Sequence, residues 1–331
     1  MSEGVCHVND TMKAYGVTPD LTITLYSMAM VIGVGGNLLV LCVVYFQRLQ
    51  WFAYDIFFVN MMFADLLMLL TIPAWIYYIL NYTKIGHVAC IGLSFVFYVP
   101  LFLHSDLIAA IAVERYQNLV KHKPVSVRLA SITCAVLWVT VVLVTSPYYI
   151  FRAPEETESC ILGNYTWHAP HGFRIVMDLA INSWTLLVPA GLTVFLSIKI
   201  KASSRGNRKL NSRASYHLDA MAINMMFFNG LFNFIIFRDI GVDYSKATSC
   251  HYLQQEHFFR MMSVALVFAR PVVSPILYVC VSRKLLHSVF HLFMRIPYET
   301  LDSEHAKLMV DGKVDNGEVP DPLPRECESV L

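Results

Sequence analysis

The sequence predicts an all-α membrane protein, a bundle of seven transmembrane helices, and three observations predict it. Only 15% of its 331 residues are Asp, Glu, Lys or Arg while 56% are apolar, against about 25% and roughly 45–50% in soluble domains. Seven stretches carry the ~20 mostly apolar residues that cross a ~30 Å hydrocarbon core. The basic residues between them favour alternate connections, as a chain crossing a membrane repeatedly requires. A mean hydropathy of +0.52 makes lipid the solvent for much of the chain. The near balance of 25 basic and 24 acidic residues excludes a nucleic-acid binder built on bulk positive charge.

The segments run Leu21–Phe46, Trp51–Leu80, Ala89–Leu119, Ala130–Ile150, Phe173–Ile200, Tyr216–Ile240 and Phe258–Val281. Their lengths suit helices and not the ~10-residue alternating strands of a barrel. The fourth has no charge from Ala130 to Ile150, whereas Asn224, Asn229 and Asn233 interrupt the sixth. The chain therefore divides into an extracellular N-terminus (1–20), a seven-helix domain (21–295) and a polar, disordered cytoplasmic tail (296–331). The first residues lack the apolar core of a signal peptide, so the first segment is expected to act as its own insertion signal.

Direction follows from the basic residues. Lys121, Lys123 and Arg128 lie between segments three and four, and Lys199, Lys201, Arg205, Arg208, Lys209 and Arg213 between five and six. Arg283 and Lys284 follow the seventh. These connections are expected inside, with the N-terminus outside and the C-terminus in the cytoplasm. Glycosylation sequons at Asn9, Asn81 and Asn164 all fall on the side so assigned to the outside. Four cysteines fall there too, Cys6, Cys90, Cys160 and Cys250, where disulfides persist and three pairings are open to them.

Ordered landmarks then appear along the chain. Asn37 stands in Gly-Gly-Asn-Leu, Asp65 in Ala-Asp-Leu-Leu, and Cys90 opens the third segment that Glu114-Arg115-Tyr116 closes. Trp138 lies in the fourth, Pro189 in the fifth, and Ser274-Pro275-Ile276-Leu277-Tyr278 ends the seventh. In this order they resemble the rhodopsin-like (class A) G-protein-coupled receptors, over about residues 20–295. Thr71-Ile72-Pro73 and Phe97-Tyr98 look like the chemokine and purinergic-nucleotide branches. The resemblance implies a plasma-membrane receptor, with no catalytic site or cofactor, and a short amphipathic helix after the seventh segment, reaching His291. Its implied partners are an extracellular ligand, a heterotrimeric G protein and membrane lipid. Arg115 would meet the G protein and Glu114 would hold that arginine at rest. Among the cysteine pairings, Cys90–Cys160 with Cys6–Cys250 is preferred, against unpaired thiols.

Departures from the family pattern are as informative. The sixth segment reads NMMFFNGLFNFIIF over residues 224–237, with neither the Trp nor the Pro usual there. Either Phe228 and Phe232 take the aromatic positions or Asn229 replaces the Trp. Ser274 stands where the family has Asn, and Ser197 where it has an inward Tyr. Residues 205–217 contain no Asp or Glu, so the acidic brake often found on the sixth helix is expected to be missing, with appreciable ligand-free signalling as the consequence.

Ionisable groups at bilayer depth are costly and mark function. Here they are Asp65, His104, Asp106, Asp178 and Arg270. In the family the Asp65 position helps hold sodium; counting from Arg115 and Pro275 puts His104 and Arg270 at two partner positions. The expectation is that Arg270 replaces the cation and pairs with Asp65, the alternative being a pair with Asp106 or with bound water. For ligand recognition, Phe97 stands where amine receptors have Asp, no lysine occurs in Phe258–Val281 to hold retinal, and Val264 replaces a glutamate common in chemokine receptors. A rim containing Arg174, Arg238, His257 and Arg260, above Phe97 and Tyr98, suits an anionic lipid or nucleotide. The opposing reading is a solvated rim balanced by acids such as Asp239 and Glu256. The final residues, with Ser329 two before Leu331, resemble a PDZ-domain ligand. Neither matched broken helices, as in transporters, nor hydrolase motifs are present. The main rival is a seven-helix scavenger or scaffold that does not couple to G protein.

Overall fold

Lipid cannot satisfy backbone polar groups, so each apolar stretch must close its hydrogen bonds internally and become a helix. The computed structural model describes residues 15–46, 51–81, 87–147, 171–203, 208–240 and 250–281. These form α1 (Pro19–Phe46), α2 (Ala53–Leu69), α3 (Ile72–Asn81), α4 (His87–Leu119), α5 (Val127–Thr145), α6 (His171–Asn182), α7 (Val188–Ala202), α8 (Arg208–Ile240) and α9 (Cys250–Val281). No strand occurs among the described residues. α2 with α3 makes the second span and α6 with α7 the fifth, so among the described residues seven helical spans are long and apolar enough to cross a membrane.

Prolines explain where spans break. Pro73 has no N–H to give the preceding turn, and the second span breaks at Leu70–Thr71, where the Thr71 hydroxyl bonds the Met68 carbonyl at 2.7 Å. In the fifth span a π-turn, Ser183–Leu187, precedes Pro189, a common accommodation of a lost backbone bond. In the seventh, Pro275 cannot donate to the carbonyl of Pro271. The Asn37 side chain does so instead, at 2.8 Å, while also bonding Gly33 O at 2.8 Å. Gly36 permits that approach, because a Cβ there would lie 3.0 Å from Pro275 Cγ.

The third span is the axle of the bundle. Of its most apolar window 83% is buried, against 22% for the first span and 17% for the fourth. The fourth is a peripheral stave, N-capped by Ser126, which accepts from Leu129 N at 3.2 Å. It is pinned inward by Trp138, whose Nε1 donates to Asn60 Oδ1 at 3.1 Å. Two segments outgrow their sequence limits: α8 begins at Arg208 and α9 at Cys250. Polar residues continue a helix beyond lipid once an apolar core has nucleated it.

Cys90, at the start of the third span, is disulfide-bonded. Cys6 and Cys160 lie outside the described residues, as do Asn9, Asn164, Ser329, Leu331, the amphipathic stretch and the tail. The side chains of Asn81 and Cys250 do as well.

Candidate functional site: a buried arginine in the transmembrane core

Arg270 in the seventh span is wholly buried, as are Asp65 in the second and His104 in the third. Its Nη2 donates to Asp65 Oδ1 at 3.1 Å, and His104 Nδ1 lies 3.1 Å from that same oxygen. His104 meets the carboxylate as a donor, which requires the proton on Nδ1. Arg270 Nη1 donates to Asn229 Oδ1 at 2.9 Å and to Leu101 O at 3.2 Å, and Nη2 also contacts Met68 Sδ at 3.5 Å. A guanidinium is the cation suited to such a place, since its planar fork reaches several acceptors at once. Asp106, the alternative partner, is buried elsewhere on the third span, and its Oδ2 has no hydrogen-bond partner.

The residues do not fit the sodium ion that the Asp65 position implies. Two N–H donors already converge on Asp65 Oδ1. A second cation ~4 Å from the guanidinium would meet a repulsion of about 4 kcal/mol at an effective dielectric near 20. Among the described residues no group of three or more His, Cys, Asp or Glu is placed to hold a metal.

Asn229 carries the network into the sixth span. Its amide donates to Ser105 Oγ at 3.3 Å while its carbonyl accepts from Arg270. One turn on, Asn233 Nδ2 donates to the Asn229 backbone O at 2.8 Å. Asn224 donates to Ser274 Oγ at 3.2 Å, and the Ser274 hydroxyl donates to Arg270 O at 2.9 Å. The sixth span is therefore tied to the third and seventh by hydrogen bonds. Phe228 is half-buried and meets Phe227 edge-on, at 5.0 Å between centroids. Phe232 instead joins the core, 6.1 Å from Phe97 and 6.3 Å from Tyr98. Of the alternatives for this segment, an asparagine at the polar centre with one aromatic above it describes the arrangement. Below, Pro275 is buried and the Tyr278 hydroxyl contacts Met61 Sδ at 3.3 Å.

At the end of the third span, Arg115 Nε lies 3.4 Å from Glu114 Oε2, and its guanidinium stacks 4.2 Å above the ring centroid of Tyr54. Glu114 also accepts from Asn118 Nδ2. Asn118 Oδ1 in turn takes Val125 N at 3.3 Å, holding the following connection. Tyr116 is half-buried, with Lys121 Nζ 5.8 Å from its ring centre. Tyr54 carries no charge and stands outside every sequence motif; only the spatial approach of the second and third spans reveals it.

At the opposite end, Phe97 and Tyr98 belong to an aromatic cluster. Trp75 lies 5.7 Å from both Phe97 and Phe268, and its Nε1 is buried with no acceptor. Arg174, Arg238, His257 and Arg260 occupy helical positions at this end, with side chains outside the described residues.

The seven spans, the arginine at the end of the third and the polar core define a transmembrane receptor. The profile of the "7 transmembrane receptor (rhodopsin family)" matches residues 36–278. The chain belongs to that family. It is 24% identical to the G-protein coupled receptor homolog US28 of human cytomegalovirus (strain AD169), over 80% of this chain and 74% of that one. It is 22% identical to the human C-C chemokine receptor type 4, over 81% and 76%. It is 24% identical to the B1 bradykinin receptor of Chlorocebus pygerythrus, over 88% and 87%. Within the family the likeness is to the chemokine-receptor branch.

Proposed function

We propose that this cell-surface G-protein-coupled receptor stands with its N-terminus outside and activates a heterotrimeric G protein through Arg115, with appreciable activity before any ligand binds. The observation that carries this is the state of Arg115. Its partners among the described residues are Glu114 and Tyr54, on the third and second spans; neither restrains the sixth. G-protein activation, measured without ligand for wild type and Arg115→Ala at matched surface expression across the G-protein families, tests it. The expected result is a basal signal that Arg115→Ala removes. A wild-type signal no higher than in empty cells would remove the claim of basal activity.

A second reading, a scavenger or scaffold that does not couple, is favoured by the sixth span, where Asn229 and Asn233 stand in a segment lacking Trp and Pro. Ligand uptake with no G-protein activation under any condition would establish it.

For the ligand, the reading is an anionic molecule, with a lipid ahead of a nucleotide. An aromatic floor of Trp75, Phe97, Tyr98, Phe232 and Phe268, with one buried N–H donor, favours an apolar body carrying an acceptor. The basic rim of Arg174, Arg238, His257 and Arg260 would take the acid group. The chemokine receptors among its relatives make a small protein the competing ligand; the apolar, buried Val264 speaks against the usual anchor for one. A panel of lysophospholipids, fatty acids and nucleotides, screened on wild type and Arg260→Ala, separates these, and an unchanged response would take Arg260 out of the pocket. A PDZ-domain array probed with the C-terminal peptide tests the partner proposed for Ser329 and Leu331.

A further inference from the structure

The family's usual acid on the sixth helix is missing from residues 205–217, but Asp219 lies two residues further on. It does not reach Arg115. Its Oδ1 accepts from the Ser197 hydroxyl in the last turns of the fifth span. Ser215, one helical turn before Asp219 and so on the same face, places its Oγ 2.8 Å from Ser197 Oγ and 3.3 Å from Ser197 O. A hydroxyl has one proton to give. With Ser197 donating to Asp219, Ser215 must be the donor toward Ser197, and both serines are then satisfied.

Burial sets the strength of this cluster. Ser197 and Ser215 are 2% and 0% exposed, and hydrogen bonds that polarise one another are stronger out of water. Asp219 is half-buried, and among the described residues it has no cationic partner; the serine hydroxyl is its side-chain partner there. A second tie runs beside it: Lys201 Nζ, on the fifth span, lies 5.1 Å from the ring centre of Tyr216 on the sixth.

We propose that Ser197, Ser215 and Asp219 form a latch that holds the sixth span against the fifth at the Arg115 end, and that this latch sets the level of ligand-free signalling. The inference rests on the coupling reading above. It names the contact that must open if the sixth span is to leave Arg115 accessible. It is a weaker restraint than an arginine–acid pair would be at the same place, because only one of its members is charged. Replace Ser197 with a residue lacking a hydroxyl and the half-buried carboxylate–hydroxyl bond cannot form.

The test uses the full-length receptor, purified in lipid nanodiscs and also expressed in cells, as wild type, Ser197→Ala, Asp219→Asn and Ser197→Thr. Backbone hydrogen exchange over residues 208–222 reads the latch without any G protein, and basal G-protein activation at matched surface expression reads its consequence. Ser197→Ala should exchange faster there and raise basal activation by about tenfold or more, the effect of losing one hydrogen bond to a charged group. Asp219→Asn, whose amide oxygen still accepts from Ser197 without the charge, should move both in the same direction by less. Ser197→Thr, which keeps the hydroxyl, should match wild type in both, and it keeps the test valid if another variant folds poorly. Unchanged exchange in Ser197→Ala would overturn the latch. Faster exchange with unchanged basal activation, in a receptor whose signal Arg115→Ala abolishes, would overturn its role in signalling. Faster exchange in a receptor that activates no G protein under any condition would support the latch and overturn the coupling reading instead.

Discussion

Arg270 and Asp65 meet at 3.1 Å in the middle of the bundle, each fully buried, with His104 on the same carboxylate oxygen. A positive charge that belongs to the chain thus occupies the place where the family resemblance would put a free ion. The difference is physical: a bound ion can leave, whereas a guanidinium on the seventh span cannot. Its bond to Asn229 also fastens the sixth span to that charge.

Removing one member of the pair should cost far more than removing both. Arg270→Met leaves Asp65 buried without its counter-charge, and single losses of this kind run at about 3–5 kcal/mol. Asp65→Asn combined with Arg270→Met should recover much of that. Thermal unfolding of the purified receptor, read as midpoint shifts for the singles and the double, measures it; additive shifts would show that the two do not interact.

Sodium should have no specific effect on the wild type. Replacing sodium with choline at constant ionic strength should leave its unfolding midpoint unchanged, because Arg270 already neutralises Asp65. Arg270→Asn, which removes the charge and supplies a neutral oxygen, should introduce a sodium-dependent rise. A sodium-dependent midpoint in the wild type would contradict the assignment.

Asn229 should be energetically coupled to Arg270. A double-mutant cycle with Asn229→Ala and Arg270→Met isolates the pair. A hydrogen bond to a charged group predicts a coupling of about 1.5–3 kcal/mol in unfolding free energy. A coupling near zero would assign the asparagine to packing alone.

Tyr54 should restrain Arg115 through the stacking of its ring face. Tyr54→Phe keeps the stacking surface found at 4.2 Å and should leave basal activation unchanged. Tyr54→Leu removes a cation–π contact worth ~0.5–2 kcal/mol and should raise basal activation by roughly two- to thirtyfold. Equal basal signals for the two variants would exclude the stacking role.

The seam between the first and seventh spans should be intolerant of change. Asn37→Ala strips the Pro271 carbonyl of the donor it has at 2.8 Å, at about 1–3 kcal/mol for a buried unsatisfied acceptor. Gly36→Ala forces a methyl to within 3.0 Å of Pro275 and should cost about 1–3 kcal/mol by overpacking. Midpoints within experimental error of wild type would show that the seam yields.

The sequence by itself determined the seven spans and the presence of Arg270 and His104 near the level of Asp65; the breaks at Leu70–Thr71 and Ser183–Leu187 emerged only in the structure. Hydropathy and the spacing of charges are local properties, and they survive without knowledge of neighbours. Only the tertiary structure decided that Arg270 takes Asp65 and not Asp106, that Asn229 faces the guanidinium while Phe228 turns to Phe227, and that Tyr54 lies under Arg115. It also decided that Asp219 belongs to a fifth-span serine, which a search for an acid facing Arg115 could not anticipate. Each of these depends on how far one helix is rotated about its axis against another. That rotation is fixed by packing over the whole bundle, and residues far apart in the chain set it together.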